Sequence, residues 1–200
     1  MLAIDCEMTG LDPKLHAIIS IGGVNLDDPE NNFYGECRVF SSAEIDPAAL
    51  AVNGFTEAEC FDDSKDTESV MMHKLFDWMQ TAKNYTLVGQ NVTLDKEFLN
   101  EAFARCGVEF RFNHRVVDTH SVAYSRFLIE GRPVPTKSEK PKVSALNLDE
   151  ILKYVGIPEE PRPHNALTGA KVSAEAFSRM VFKKKLLSDF QDFPLPEYLN

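Results

Sequence analysis

The sequence predicts an α/β domain, and three observations carry that expectation. At 200 residues and 44% hydrophobic, the chain matches one compact domain with a sizeable core. Short apolar runs of strand length are interleaved with stretches in which apolar residues return at helical spacing. Around residues 85–103 a short strand pattern passes through Gly89-Gln90-Asn91 into a helical one, the strand-then-helix order of layered α/β folds.

Taken in order, residues 1–7 read as a buried strand ending in acid. Residues 16–26, with Ala17, Ile18, Ile19, Ile21 and Val24, read as a second strand, and the Gly10-Leu11-Asp12-Pro13 turn joins the two in a hairpin. A third strand is expected over 33–40, followed by a polar stretch, 41–67, holding short helical pieces such as 47–53. Met71, Leu75, Trp78 and Met79 fall at i, i+4, i+7 and i+8, the apolar stripe of a helix over 68–82. After a strand at 85–88, Leu94, Phe98, Leu99, Ala102 and Phe103 mark a helix that Gly107 can close. Residues 116–119 look like another strand end, and 146–155 like a short helix closed by Gly156. Between them, 126–142 holds two Arg, three Lys, three Pro and one Gly, which predicts a basic, irregular loop. Ala166, Ala170, Phe177 and Val181 mark one face of a long last helix, and the Pro-containing tail from Asp189 reads as loosely attached. There is no internal repeat.

Composition excludes several classes. No apolar run approaches the roughly 20 residues of a membrane span, and no signal-peptide core opens the chain, which predicts a soluble, cytoplasmic protein without a membrane partner. Cys6, Cys37, Cys60 and Cys106 lie far apart with no CxxC pair, so neither a zinc ribbon nor a disulfide framework is expected. The net charge of −10 is the wrong sign for a broad basic surface that neutralises phosphates. Any contact with a polyanion has to be local, and cations bound by carboxylates are one local solution.

Asp5 and Glu7 stand two apart on the first strand, so both carboxylates point to one face and Cys6 to the other. Convergent oxygen ligands of this kind suit Mg²⁺ or Mn²⁺. Asp95 lies in the first turn of a helix, where the macrodipole favours a carboxylate in any case. His164 follows Pro161-Arg162-Pro163, which restricts the angle at which the chain enters the last helix. Each signal is weak alone; their order along the chain is informative.

The strings Ile4-Asp5-Cys6-Glu7-Met8-Thr9-Gly10-Leu11-Asp12, then residues 88–99 around Asp95, then Pro163-His164-Asn165-Ala166-Leu167, closely resemble the three exonuclease motifs of the DnaQ-like DEDDh 3′→5′ exonuclease family, whose members include oligoribonuclease, RNase T and polymerase proofreading subunits. The resemblance runs from the N-terminus to about residue 181, with residues 48–56 and Val117-Asp118-Thr119 also fitting. It implies an RNase H-like fold, a mixed five-stranded sheet flanked by helices, within an exonuclease domain over residues 1–185 and a C-terminal tail over 186–200. It also implies two-metal hydrolysis of the terminal phosphodiester of single-stranded nucleic acid. Asp5, Glu7 and Asp95 would be the metal ligands for two Mg²⁺ or Mn²⁺ ions, Asp95 largely through water. His164 would be the general base, and Met8 and Thr9 would lie against the last nucleotide and its 3′ end. From its composition rather than from the resemblance, the basic loop, with Arg126, Arg132, Lys137, Lys140 and Lys142, reads either as a solvated surface loop or as a contact along the substrate backbone. Some relatives are homodimers, so a homodimer is compatible with the resemblance. Glu7-Met8-Thr9-Gly10 looks most like oligoribonuclease and leans the substrate toward short RNA, with DNA left open.

One position departs from the pattern. The family places an Asp five residues after the His, and here that residue is Gly169. Gly in a helix interior costs about 1 kcal/mol against Ala, so helix stability does not explain it. Asn165 and Ser173, each about 6 Å away along the axis, are not anionic, and Glu175 points elsewhere. Weak metal-ion binding at the site shared by Asp5 and Glu7 and impaired hydrolysis are therefore expected; compensation by water or by a carboxylate such as Asp118 is the lesser alternative, since the strand end carrying Asp118 resembles an ordinary structural feature of the family. The alternative reading is a catalytically silent relative that binds nucleic-acid 3′ ends or a protein partner.

Overall fold

The computed structural model describes residues 1–199. Its centre is a mixed sheet of six strands: β1 (Leu2–Met8), β2 (Ile18–Asn25), β3 (Asn32–Arg38), β4 (Asp66–Thr67), β5 (Leu87–Gly89) and β6 (Val117–Asp118), in the order β4-β3-β2-β1-β5-β6. β1, β2 and β3 form an antiparallel meander, whereas β5 runs parallel to β1, β6 to β5 and β4 to β3. The expected mixed sheet has one more strand than the five anticipated. The additional strand, β4, is a two-residue polar pairing of Asp66 and Thr67 with Cys37 and Arg38, too short to leave an alternation in the sequence.

Helices cover both faces. α3 (Glu68–Met79) and α4 (Val92–Arg105) bring Met71, Met72, Leu75, Phe98, Leu99 and Phe103 against Leu2, Ile4 and Cys6. α7 (Ala166–Phe182) lays Ala170, Ala174 and Phe177 on Ala3, Val24 and Val88 of the opposite face. Alternate residues of β1 thus feed different layers, as the period-2 pattern requires. Two short helices, α1 (Pro47–Asn53) and α2 (Glu57–Cys60), follow β3, and α5 (Thr119–Ile129) and α6 (Leu148–Val155) flank α7. Gly107 and Gly156 both adopt positive φ just beyond helices, the left-handed closures expected of them.

Adjacent glycines on β2 set how closely the layers approach. A Cβ on Gly22 would collide with the Ala166 carbonyl and the Leu167 amide at the start of α7, while one on Gly23 would meet the Trp78 ring at 2.7 Å on the other face. Gly22 pairs with Asp5 in the β1–β2 register, so this close approach seats the first turn of α7 beside Asp5. Gly22→Ala is expected to destabilise the fold by about 1–3 kcal/mol, because backbone rather than a flexible side chain blocks the methyl group. Chemical denaturation of the two proteins measures this directly.

Two expectations change. The segment 126–142 is the end of α5 followed by a hairpin of β7 (Thr136–Lys137) and β8 (Lys140–Ser144), not an irregular loop. The tail is anchored rather than loose. The fully buried Arg179 donates to Glu175 Oε1 at 2.6 Å and to the carbonyls of Val155, Phe190, Phe193 and Pro194, while Glu175 Oε2 accepts from the amides of Leu186 and Leu187. A buried guanidinium has to find acceptors, and backbone carbonyls of a Pro-interrupted segment supply them. All four cysteines are free. Among the described residues no helix is long and apolar enough to cross a membrane.

Candidate active site

The C-terminal end of β1 delivers the first two carboxylates. Asp5 and Glu7 continue the side of the strand that Ala3 presents to α7, and Cys6 enters the opposite core. Asp95 arrives from the first turn of α4, where its Oδ1 accepts the Cys6 amide at 2.9 Å. The β1–β5 ladder has its last partner pair at Ala3 and Val88, so the Cys6 amide lies beyond the parallel strand and a side chain takes it up.

His164 reaches the site from the loop before α7. Its amide donates to the Val52 carbonyl at 3.3 Å, and Asn53 at the end of α1 donates to the Met8 carbonyl at 3.2 Å. Gly54, at φ 78°, closes α1 against Pro163, where a Cβ would sit 2.6 Å from the proline ring. The short helix α1 therefore ties the end of β1 to the loop carrying His164. That connection gives the segment 48–56 its place in the site.

Met8 is half-buried beside these groups. Thr9 is fully buried, its hydroxyl donating to the Glu44 carbonyl at 2.7 Å and accepting from the Ala17 amide at 2.9 Å. Its hydroxyl is therefore engaged within the turn that follows β1. Asp118 accepts the His120 amide at 2.9 Å and caps α5, so its carboxylate serves the helix. Asn165 likewise caps α7, accepting the amides of Leu167 and Thr168.

Gly169 faces Asp5. A Cβ at this position would lie 2.7 Å from Asp5 Cγ and closer still to Oδ2, so the Asp5 carboxylate occupies the space that a side chain at 169 would enter. Two residues that the motifs do not point to also belong here. Glu160, almost fully buried, accepts from His164 Nδ1 at 3.0 Å. Tyr34 of β3 lies at the rim, its hydroxyl donating to Glu36 at 2.6 Å and accepting weakly from Asn165. Glu160 sits in a Pro-rich loop with no periodicity, and Tyr34 is one of several strand aromatics; neither carries a spacing signal.

The electrostatics are those of crowded acid. Burial is the main force raising the Asp5 carboxyl well above its ordinary value, with the charges of Asp95, Glu7 and Glu160 adding to it. Glu7 is pushed up to about 7, chiefly by burial, with His164 opposing and Glu160 and Asp95 reinforcing the rise. Burial also raises Asp95 to about 7, against the Cys6 amide that holds its charged form. Among the described residues, Asp5, Glu7 and Asp95 have no ion-pair partner from Lys or Arg, and the Asp5 and Glu7 carboxylates accept no protein hydrogen bond. Unpaired hard oxygen donors fit a divalent cation in charge and in donor type. Among the same residues no three donors stand at metal-ligand spacing.

These shifts set a sign for pH dependence. Between the ordinary Glu value of 4.5 and about 7, folded Glu7 holds a proton that the unfolded chain releases. Stability in chelator is therefore expected to fall as pH rises through that window. Melting temperatures taken across it check the slope. Added Mg²⁺ or Mn²⁺ is expected to stabilise the protein more above the window than within it, since protons and cations compete for the same oxygens.

Carboxylates at the end of a central strand thus lie near an imidazole from the loop before the last helix, within electrostatic reach of one another. Comparison with known proteins gives the family. The exonuclease family model of the RNase T type matches residues 2–177, and the chain belongs to that family of 3′→5′ exonucleases. It is 25% identical over 180 residues to a DNA polymerase III of the PolC type from Thermotoga petrophila, covering 90% of this chain and 12% of that protein. The chain thus spans about an eighth of the length of that curated relative. Among solved structures, the nuclease domain of 3′hExo, a DEDDh family member bound to rAMP, superposes with a TM-score of 0.66 at 20% identity, covering 98% of this chain and 95% of that one. E. coli exonuclease I in complex with a dA16 oligonucleotide gives 0.69 at 19% identity, covering 92% and 40%. The fold is the RNase H-like one that the motifs imply.

Proposed function

We propose that the chain is a metal-dependent 3′→5′ exonuclease acting on single-stranded nucleic acid, with hydrolysis weakened by Gly169. The observation that carries this reading is the set of three unpaired carboxylates, Asp5, Glu7 and Asp95, gathered at one strand end with His164 beside them. Asp5 and Glu7, with Asp95, would hold two Mg²⁺ or Mn²⁺ ions. When bound, such ions supply charge neutralisation at the phosphate and at the departing oxygen.

The chain's own groups supply the remaining steps. His164 takes a proton from a water molecule, whose oxygen forms the new bond to phosphorus. The P–O3′ bond breaks, and the departing 3′ oxygen takes a proton from solvent. Met8, half-exposed at the end of β1, packs against the terminal nucleotide and makes the reaction end-specific. A pair of labelled strands tests the reading: metal-dependent release of nucleoside monophosphate from a 3′-hydroxyl end, stopped by a 3′-phosphate, is expected, whereas internal cleavage or no cleavage contradicts it.

The backbone contact reduces to the hairpin. Arg126 and Arg132 pair with Glu130, and Arg132 also stacks over Phe127, Tyr154 and Tyr198. Lys137, Lys140 and Lys142 are exposed on β7–β8 and have no ion pair among the described residues. The hairpin base is held near the site: Ser144 lies 3.1 Å from His120, and Gln90, just ahead of α4, donates to the Leu146 carbonyl. Replacing all three lysines with alanine is expected to reduce the salt slope of single-strand binding by about 2, at roughly 0.7 per phosphate contact. Fluorescence anisotropy across a salt series measures it.

Gly169 supports a second reading, in which the same groove binds 3′ ends without hydrolysing them. Binding with no metal-dependent shortening would establish it.

A further inference from the structure

We infer that Glu160 is the positioning residue of His164, fixing the imidazole with its proton on Nδ1 and its lone pair on Nε2. The inference rests on the nuclease reading for its kinetic consequence but not for its geometry. The Glu160 side chain is only 3% exposed, and its Oε2 lies 3.0 Å from Nδ1 of His164. Its other oxygen, Oε1, accepts the Asn165 amide at 3.4 Å, so both oxygens face the segment that carries the imidazole. Once ionised, as at the alkaline pH of the test below, a carboxylate held this way can only accept. Nδ1 therefore donates, and Nε2 is left as the acceptor.

The consequence is a defined base. In water an imidazole exchanges between two tautomers, and only one of them offers Nε2 to an incoming water; a carboxylate at Nδ1 selects that form. Glu160 contacts the ring, Glu7 lies within electrostatic reach of it, and Asp149, paired with Arg162, acts on Glu160. His164 is also fixed through its backbone, because its amide donates to Val52 of α1. Glu160 and α1 thus orient the base from two directions. Glu160 is not placed as a replacement for the absent Asp, since its oxygens are turned to His164 and Asn165 rather than left free.

The test reads the ring directly. With the full chain labelled with ¹⁵N and held at alkaline pH in chelator, long-range proton–nitrogen correlation separates the two ring nitrogens, and a His164→Gln spectrum assigns them. The expected result is a protonated Nδ1 and a bare Nε2 in the wild type, with the Nε2-protonated form regaining population in Glu160→Gln. In the same variant kcat is expected to fall by about 10–100-fold with KM nearly unchanged, the scale of losing an orienting partner. A wild-type ring protonated on Nε2, or a tautomer unchanged in Glu160→Gln, overturns the inference. A Glu160-dependent Nδ1–H ring in a protein that hydrolyses no strand upholds the positioning role while refuting the nuclease reading.

Discussion

Asp5→Ala is expected to reduce exonuclease activity by more than ~100-fold, since even losing a ligand's supporting partner costs roughly 10–100-fold. The same substitution is expected to raise the melting temperature in chelator. The two effects share one cause. Asp5 is partly buried, accepts no hydrogen bond and lies among the charges of Asp95, Glu7 and Glu160, so its charge is unfavourable until a cation joins it. Removing it relieves that repulsion and removes the ligand together. For a chain of this length a gain of 1 kcal/mol corresponds to about 2–4 °C, so thermal melting resolves the effect. An Asp5→Ala protein less stable than wild type in chelator, though equally inactive, would assign Asp5 a structural role instead.

Gly169→Asp is expected to raise metal-dependent activity by more than ~10-fold, by returning an oxygen ligand to a site that lacks one. The gain is conditional on movement. An added Cβ meets Asp5 Cγ at 2.7 Å, so the Asp5 carboxylate must swing away from α7. Without metal the variant holds two carboxylates in one space, and its melting temperature in chelator is expected to fall below that of wild type. With Mn²⁺ present the order is expected to reverse. Gly169→Ala separates sterics from charge: it moves Asp5 in the same way but supplies no ligand, so it is expected to gain no activity. If Gly169→Asp behaves like Gly169→Ala, the space beside Asp5 is closed to a fourth ligand.

Much of this was legible because the relevant features are periodic or contiguous. The Asp5-x-Glu7 pair could be assigned to one face from strand geometry alone, and Met71, Leu75 and Met79 pack on β1 as their helical spacing predicts. Other features depend on contacts between distant segments and leave no local pattern. Glu160 acts four residues before His164 in a loop broken by proline, where spacing carries no geometric meaning. Thr9 enters only through the motif, and the bonds its hydroxyl makes to Glu44 and Ala17 leave no local pattern. The tail's prolines suggest loose attachment, but they free backbone carbonyls that Arg179 requires. Gly22 looks like an ordinary strand glycine until α7 is placed on it. The basic segment misled in composition as well: two of its five cations are committed to Glu130, leaving the three hairpin lysines.

The central claim is that three carboxylates and one imidazole suffice for end-directed hydrolysis without an acid at position 169. The most direct measurement is a single-turnover assay on 5′-labelled RNA and DNA strands, comparing the protein as it stands with Asp5→Ala, in Mn²⁺, in Mg²⁺ and in chelator. Stepwise shortening from the 3′ end that needs both the metal and Asp5 is the expected result. Strands left intact by this protein but shortened by Gly169→Asp would contradict the claim and identify a nuclease scaffold silenced at a single position.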